Sequence, residues 1–356
     1  MKAWMAGVAA LALTGCVSVE YSEEAGYAPS VETGAQSLRG ADALGETDRT
    51  LHDRVLTMDT HVDIGQGYAT AALDPGGFTR AQVDLPKMRD GGLDAAFFIV
   101  YVGQGLISPI GYEEAADQAE DKYQAIMRMI RGYRDQIALA TTADEVEAIH
   151  ESGRLVALIG MENSWPLGED LANVGMWAER GVRYVSITHF GNNQFGGSSN
   201  PNLAQGDPSE DPGLTELGRG LVRELNDHGV MVDVSHVGKR TMLEAIALSR
   251  APVLASHSGA RGVFDHPRNL DDEQLRAIRD NGGVAQMVAF RRYIGEVDPE
   301  LAEAERALAE EMGFTSRQAF AQASDSERHH DLHTCGPYRS RRSGGRHRSC
   351  GYCIRL

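Results

Sequence analysis

The sequence predicts an α/β fold, a (β/α)8 TIM barrel whose eighth strand is missing. Three observations carry this. From residue 49 onward, short runs that are apolar throughout alternate with amphipathic helical patterns. Such runs read as parallel strands covered on both faces. Seven of them over about 240 residues suit a barrel one strand short. No Gly-rich dinucleotide fingerprint follows the first run, which weighs against the alternative, a doubly wound open sheet.

The elements follow in order. Residues 55–62 and 95–102 are the first two strands, and 114–131 and 143–152 the helices after them. Strand 156–161 precedes helix 171–179, strand 184–188 precedes helix 215–228, and strand 231–234 precedes helix 239–249. Strand 253–256, helix 272–280 and strand 284–288 complete the series. Several helices open on Thr, Asp or Glu, as N-caps and acidic first turns require. Residues 300–312 (ELAEAERALAEEM) are a strong helix, an elaboration late in the barrel.

Composition bounds the class. Of 356 residues, 42% are hydrophobic and 24% charged, as in globular proteins, and four Cys exclude a disulfide scaffold. A net charge of −17 argues against nucleic acid as a partner, which would need a basic face. The charge is uneven. Residues 338–356 hold six Arg and no acid, and without them the chain carries 28 basic and 51 acidic residues, a net −23.

The two ends differ from the middle. Lys2, the apolar run 6–13 and Leu13-Thr14-Gly15-Cys16 form a secretory signal too short to span a membrane as a mature helix. The small residues before Cys16 resemble a bacterial lipobox. That implies cleavage after residue 15, a lipid on Cys16 and a place in the bacterial cell envelope, anchored to a membrane and not threaded through it. An ordinary signal with an incidental Cys is the plain alternative. Residues 16–48 read as a flexible tether. Residues 49–334 are the barrel, and 335–356 an aberrant Arg/Cys-rich tail. Cys335, Cys350 and Cys353 could suggest a zinc knuckle, but the stretch has no apolar periodicity. Residues 338–356 can instead be encoded by a nucleotide string that, read one base later, gives TDHAVAAAGIDHVGIASDF, with a helical piece, a turn and a strand. A frameshift upstream of Tyr338 is the expectation.

Polar residues at the strand ends point to chemistry. His61 and Asp63 are two apart, so on a strand they share a face and can grip one ion. Glu162, His236 and His257 follow three other apolar runs, and catalytic residues of barrels sit at strand C-termini. A lone His after a strand is ordinarily a satisfied polar group, but four strand ends carrying ligand types are hard to obtain by chance. Three His and two carboxylates exceed what one zinc with an open position needs, so two metals are expected, with Glu162 able to bridge. The donor mixture favours zinc over magnesium. His189, after the fourth strand, could donate to an oxyanion or orient another group. Arg268 could clamp a carboxylate, or pair at the surface with Asp271 or Asp272.

These residues together resemble the membrane dipeptidase (renal dipeptidase) family of zinc peptidases. The match is His61-Val62-Asp63, Gly160-Met161-Glu162, Thr188-His189 with Asn192, Val234-Ser235-His236-Val237, Ser256-His257-Ser258 and Arg268-Asn269, over about residues 50–330. The resemblance implies a metal-dependent hydrolase barrel, two Zn2+ per chain and hydrolysis of dipeptides by a hydroxide bridging the metals. It implies that His61 and Asp63 bind the first zinc, Glu162 bridges, and His236 and His257 bind the second. His189 would contact the scissile carbonyl and Arg268 the substrate's C-terminal carboxylate. Dimers are known in the family, so a homodimer is compatible. The family's eighth strand resembles Gly-Ile-Asp-His-Val-Gly-Ile-Gly-Ser-Asp-Phe-Asp-Gly, whose Ser-Asp-Phe Asp acts near the metals. The frame-shifted string reproduces it; the chain as written does not. The chain is therefore expected to fold poorly or turn over slowly. A related amidohydrolase acting on a lactam or other amide is the alternative, though such barrels more often begin His-x-His. A non-catalytic, decayed surface lipoprotein is the other.

Overall fold

The computed structural model describes His52 and residues 55–79, 81–296 and Glu303. The leader, the tether, most of the 300–312 helix and the Arg/Cys-rich tail lie outside the described residues. The elements fall within one unit of the chain, Leu56–Ser340.

Among the described residues nine parallel strands form one sheet that curls into a nearly closed, TIM-like barrel with alternating helices. They are β1 (Met58–Asp63), β2 (Ala95–Tyr101), β3 (Ile137–Leu139), β4 (Leu155–Glu162), β5 (Val182–Ser186), β6 (Met231–Asp233), β7 (Leu254–Ala260), β8 (Asn269–Leu270) and β9 (Val284–Met287). The barrel order is β1-β2-β4-β5-β6-β7, with β9 on β7. These seven strands are the seven apolar runs of the sequence. β3 and β8 are additions. β3 lies along the first half of β4 and β5 along the second half, and β8 extends the end of β7. Elements of three and two residues leave no periodicity to read.

The helices are α1 (Leu85–Gly91), α2 (Pro109–Gly132), α3 (Ala143–Glu151), α4 (Ala172–Glu179), α5 (Glu216–Asp227), α6 (Lys239–Leu248), α7 (Asp272–Asn281) and α8 (Arg291–Ile294). α2 begins five residues before the expected 114. Ser108 caps it by accepting from the Gly111 N–H, and Pro109 fits the first turn, where no N–H partner is needed. α1 was not expected at all, although Asp84 accepts from the Lys87 N–H and Gly92 ends the helix at φ 65. Asp271 and Gln274 form a capping box on α7. Among the described residues no helix is long and apolar enough to cross a membrane.

Burial explains the apolar runs. β2 and β4 are buried along almost their whole length. Ala96, Phe98 and Val100 pack with Ala157, Ile159 and Met161 against the helices, while Phe97, Ile99, Val156, Leu158 and Tyr184 form a second, inner cluster. The edges are different. Among the described residues β1 pairs only with β2, and β9 only with β7. Met58 of β1 is 37% exposed, and Val284 and Met287 of β9 are each 41% exposed. Among the described residues no strand closes the barrel between these two apolar edges.

Candidate metal centre

At the C-terminal ends of the strands, four imidazoles converge on one carboxylate. Glu162 closes β4 and is buried. Its Oε2 lies 3.4 Å from His61 Nε2. Its Oε1 lies 3.0 Å from His236 Nε2, 3.3 Å from His257 Nε2 and 3.8 Å from His189 Nε2. Asp63 Oδ2 is 3.7 Å from His61 Nε2, with its side chain 42% exposed. Of the expected ligand residues, His61, Glu162, His236 and His257 are thus brought together from four strands, while Asp63 stands at the rim beside His61 and joins neither group of converging ligand atoms. The grouping differs from the expected one. One set of ligand atoms comes from His61, Glu162 and His257, the other from Glu162, His189 and His236. His236 and His257 meet directly, Nε2 to Nε2 at 2.9 Å.

Local structure aims these groups. Asn163, next to Glu162, has φ 74, and His236 has φ 68. Left-handed backbone costs a non-glycine residue about 1–3 kcal/mol and persists only where its surroundings enforce it. The Asn163 amide donates to Val102 O at 3.0 Å and accepts from Trp165 N–H at 3.3 Å and Asn193 Nδ2 at 3.0 Å. The His236 carbonyl accepts from the Ser199 N–H at 2.7 Å. His189 lies on the loop after β5. There Asn193 Nδ2 donates to Ile187 O at 2.7 Å, Ser198 N–H donates to Asn192 Oδ1 at 2.8 Å, and the Ser198 hydroxyl donates to His189 O. Tyr184 reaches from β5 across the barrel to β1. Its hydroxyl donates to Thr60 O at 3.0 Å and lies 2.9 Å from His61 Nδ1. Gly160 makes room for it, since a Cβ there would lie 2.3 Å from the Tyr184 ring.

The charges fit a cation. Burial opposes the charge on Glu162, but the adjacent His61, with a hydrogen bond from His236, holds its carboxyl well below the usual range. Burial would lower His61 too, but Glu162 and Asp63 raise it to about 10. Burial pushes His257 down to about 4, helped by the charge of His61. Burial also lowers His189, and lowers His236 strongly. The carboxylates thus favour the charged form of His61, while burial disfavours a charge on the other three imidazoles. His236 Nδ1 is buried without a hydrogen-bond partner among the described residues. Neutral imidazoles around a carboxylate are the donor set of zinc and similar ions.

Arg268 sits just before β8 and is buried. Its Nη2 donates to His257 O at 3.0 Å, and its guanidinium lies over the Tyr293 ring at 5.3 Å. The surface pairing to Asp271 or Asp272 does not form. Asp271 caps α7 and pairs with Lys239, and Asp272 pairs with Arg276. Arg268 Nε is buried with no hydrogen-bond partner among the described residues.

Sequence reasoning missed several participants. Tyr101 places its hydroxyl 3.4 Å from His189 Nδ1. Tyr184, Asp233 and Tyr293 were also missed. Each had a signal, a polar atom inside or just beyond an apolar run, but nothing in the chain said what lay across the barrel.

The chain matches the family model of membrane dipeptidase, peptidase family M19, over residues 46–326. It is 32% identical over 245 residues to the dipeptidase tcpJ of Claviceps purpurea, covering 67% of this chain and 56% of that protein. It is 31% identical over 231 residues to the dipeptidase verJ of Clonostachys rogersoniana, covering 62% and 57%. The chain thus spans little more than half the length of these relatives. Among solved structures, the probable dipeptidase PvdM from Pseudomonas aeruginosa superposes with TM-score 0.68 at 31% identity, covering 74% of this chain and 68% of that one. A metallo peptidase from Rhodobacter sphaeroides, liganded with a phosphinate mimic of the dipeptide L-Ala-D-Ala, superposes with TM-score 0.57 at 27% identity, covering 65% and 73%.

Proposed function

This chain belongs to the membrane dipeptidase family, peptidase family M19, and from that premise we propose that it hydrolyses dipeptides at a two-zinc centre. The observation that carries the reading is the convergence of four imidazoles from separate strands on buried Glu162. By the family resemblance His61 and Asp63 would hold one ion, His236 and His257 the other, and Glu162 both, a pairing that differs from the grouping of ligand atoms described above. Bound zinc supplies Lewis-acid polarisation of the scissile carbonyl and lowers the pKa of the attacking water.

The chain's own residues supply the rest. Burial raises the Tyr101 hydroxyl well above its ordinary pKa, so it keeps its proton. That proton can be donated to His189 Nδ1, which leaves the neutral imidazole with its N–H at Nε2, facing the Glu162 side of the site. A neutral N–H donor there is suited to an oxyanion developing on the carbonyl. Arg268 remains a cation despite burial, and its unpartnered Nε is suited to a substrate carboxylate. A lipid on Cys16 would attach the enzyme to a membrane of the bacterial envelope, and pairing into a homodimer would follow the family. Neither of these rests on the described residues. Support for the lipid is the Leu13-Thr14-Gly15-Cys16 run alone.

The test is purified protein assayed for zinc content and for hydrolysis of simple dipeptides. The expected result is two zinc per chain, hydrolysis lost on chelation and restored by zinc, and no hydrolysis by Glu162→Gln. Dipeptide hydrolysis that survives complete metal removal would overturn the reading. For the anchor, palmitate labelling that persists in Cys16→Ser would overturn the lipid assignment.

A further inference from the structure

We propose that Asp233, acting through Ser256, is a positioning residue for His257: it decides which nitrogen of that imidazole carries the proton and which offers a lone pair. The inference rests on the metal-centre reading above. Asp233 ends β6 and is fully buried. Nothing in the proposed chemistry uses it. Four donors surround its carboxylate. Oδ1 accepts from the backbone N–H of Ser235 at 3.1 Å and of Ser256 at 2.9 Å. Oδ2 accepts from the hydroxyls of Ser186 at 2.5 Å and Ser256 at 2.8 Å. As a carboxylate it can only accept.

The consequence runs outward through Ser256. A serine hydroxyl has one proton, and here Asp233 takes it. The same oxygen lies 2.9 Å from His257 Nδ1 and can only accept there. Nδ1 therefore carries the proton, and Nε2, pointing at Glu162 and His236, is bare. The backbone is pinned as well: the His257 N–H donates to Ser235 Oγ at 2.9 Å, and that oxygen is 3.0 Å from Ser258 Oγ. His236 shows the opposite arrangement. Its Nδ1 has no partner among the described residues, so its Nε2 is free to hold the proton and donate to His257 Nε2 or Glu162 Oε1. The protein pre-sets His257 for a cation and leaves His236 to change tautomer when one binds. Outer partners of this kind orient a ligand and raise its basicity.

Two single-atom deletions on the same carboxylate separate this from mere packing. Ser256→Ala breaks the link to His257. Ser186→Ala removes an equally buried bond to Asp233 that touches no imidazole. Zinc dissociation constants would be read by competition with a chelating indicator, and metal-free folding by circular dichroism. Ser256→Ala is expected to weaken at least one zinc by roughly 10- to 100-fold, with Ser186→Ala unchanged. Asp233→Asn is expected to do at least as much harm as Ser256→Ala. An amide NH2 facing Ser256 would turn that hydroxyl round to donate to His257, moving the imidazole proton to Nε2. Should Asp233→Asn fail to fold, the two serine variants decide the matter. Zinc binding by Ser256→Ala as tight as in the parent, or an equal loss in Ser186→Ala, overturns the inference while leaving the metal centre standing. A parent protein that binds no zinc would bring down the metal-centre reading and this inference with it.

Discussion

Replacing Gly160 with alanine puts a methyl group where the Tyr184 ring lies. The new Cβ would stand 2.3 Å from Cζ and 2.6 Å from both Cε atoms. Ordinary carbon contacts are about 3.5–4.0 Å, so the ring would have to retreat by about 1.2 Å or more. The ring cannot retreat without cost, because its hydroxyl holds Thr60 O and His61 Nδ1. Overpacking of this kind costs about 1–3 kcal/mol. A buried carbonyl left without its donor costs about 1–3 kcal/mol more. The sum, about 2–6 kcal/mol, is a large share of the roughly 5–15 kcal/mol by which a domain is stable. β1 is sensitive here because only β2 pairs with it among the described strands, and its other ties cross the barrel: Tyr184 to Thr60 O, and Thr60 Oγ1 to Ser256 O at 2.6 Å. Urea unfolding of the metal-free protein would measure the loss. Tyr184→Phe, which removes only the hydroxyl, should cost about 1–3 kcal/mol. Because the two changes share one ring, the double variant should lose less than the sum. A Gly160→Ala protein within about 0.5 kcal/mol of the parent, or strict additivity with Tyr184→Phe, would refute the reasoning.

Arg268→Gln should raise KM for dipeptides far more than it lowers kcat, and should erase any preference for a free C-terminal carboxylate over an amide. An unchanged preference would remove Arg268 from the substrate site. The metal-free protein should be most stable near pH 6.5. His61 binds its proton more tightly folded (about 10) than at the ordinary 6.5, so its contribution is complete below 6.5 and lost as pH rises towards 10. His257, lowered to about 4, contributes above 6.5 and loses that as pH falls towards 4, and His189 and His236 are lowered in the same sense. Melting curves across pH would check this; a melting temperature that climbs steadily from pH 5 to 9 would contradict it. Replacing residues 338–356 with TDHAVAAAGIDHVGIASDF should raise the melting temperature and slow amide exchange in β1 and β9. No change in β9 exchange would mean that the added string does not pair with that edge.

Much of the site was legible because ligand residues fall at recognisable places on a strand. His61 and Asp63 alternate onto one face, and Glu162, His236 and His257 each follow an apolar run. The sequence order also set the number of barrel strands, since a strand buried on both faces must be apolar throughout. What could not be read was pairing at a distance. His189 joins Glu162 and His236, yet its position 27 residues after Glu162 and 47 before His236 carries no sign of it. Asp233 looks like an interruption in an apolar strand until Ser186 and Ser256, from the strands on either side, are seen to donate to it.

Residue type and local period thus settled which segments are strands and which side chains stand at their ends, because both follow from neighbours a few positions apart in the chain. Which imidazole faces which carboxylate oxygen, and which nitrogen is bare, was settled only by closing the strands around a common axis. Hydrogen bonds such as Tyr184 to Thr60, 124 residues apart, and Thr60 to Ser256, 196 residues apart, exist only once the sheet has curled. The two open edges belong to the same account: the apolar faces of Met58, Val284 and Met287 are visible as apolar in sequence, but their exposure is a property of the barrel.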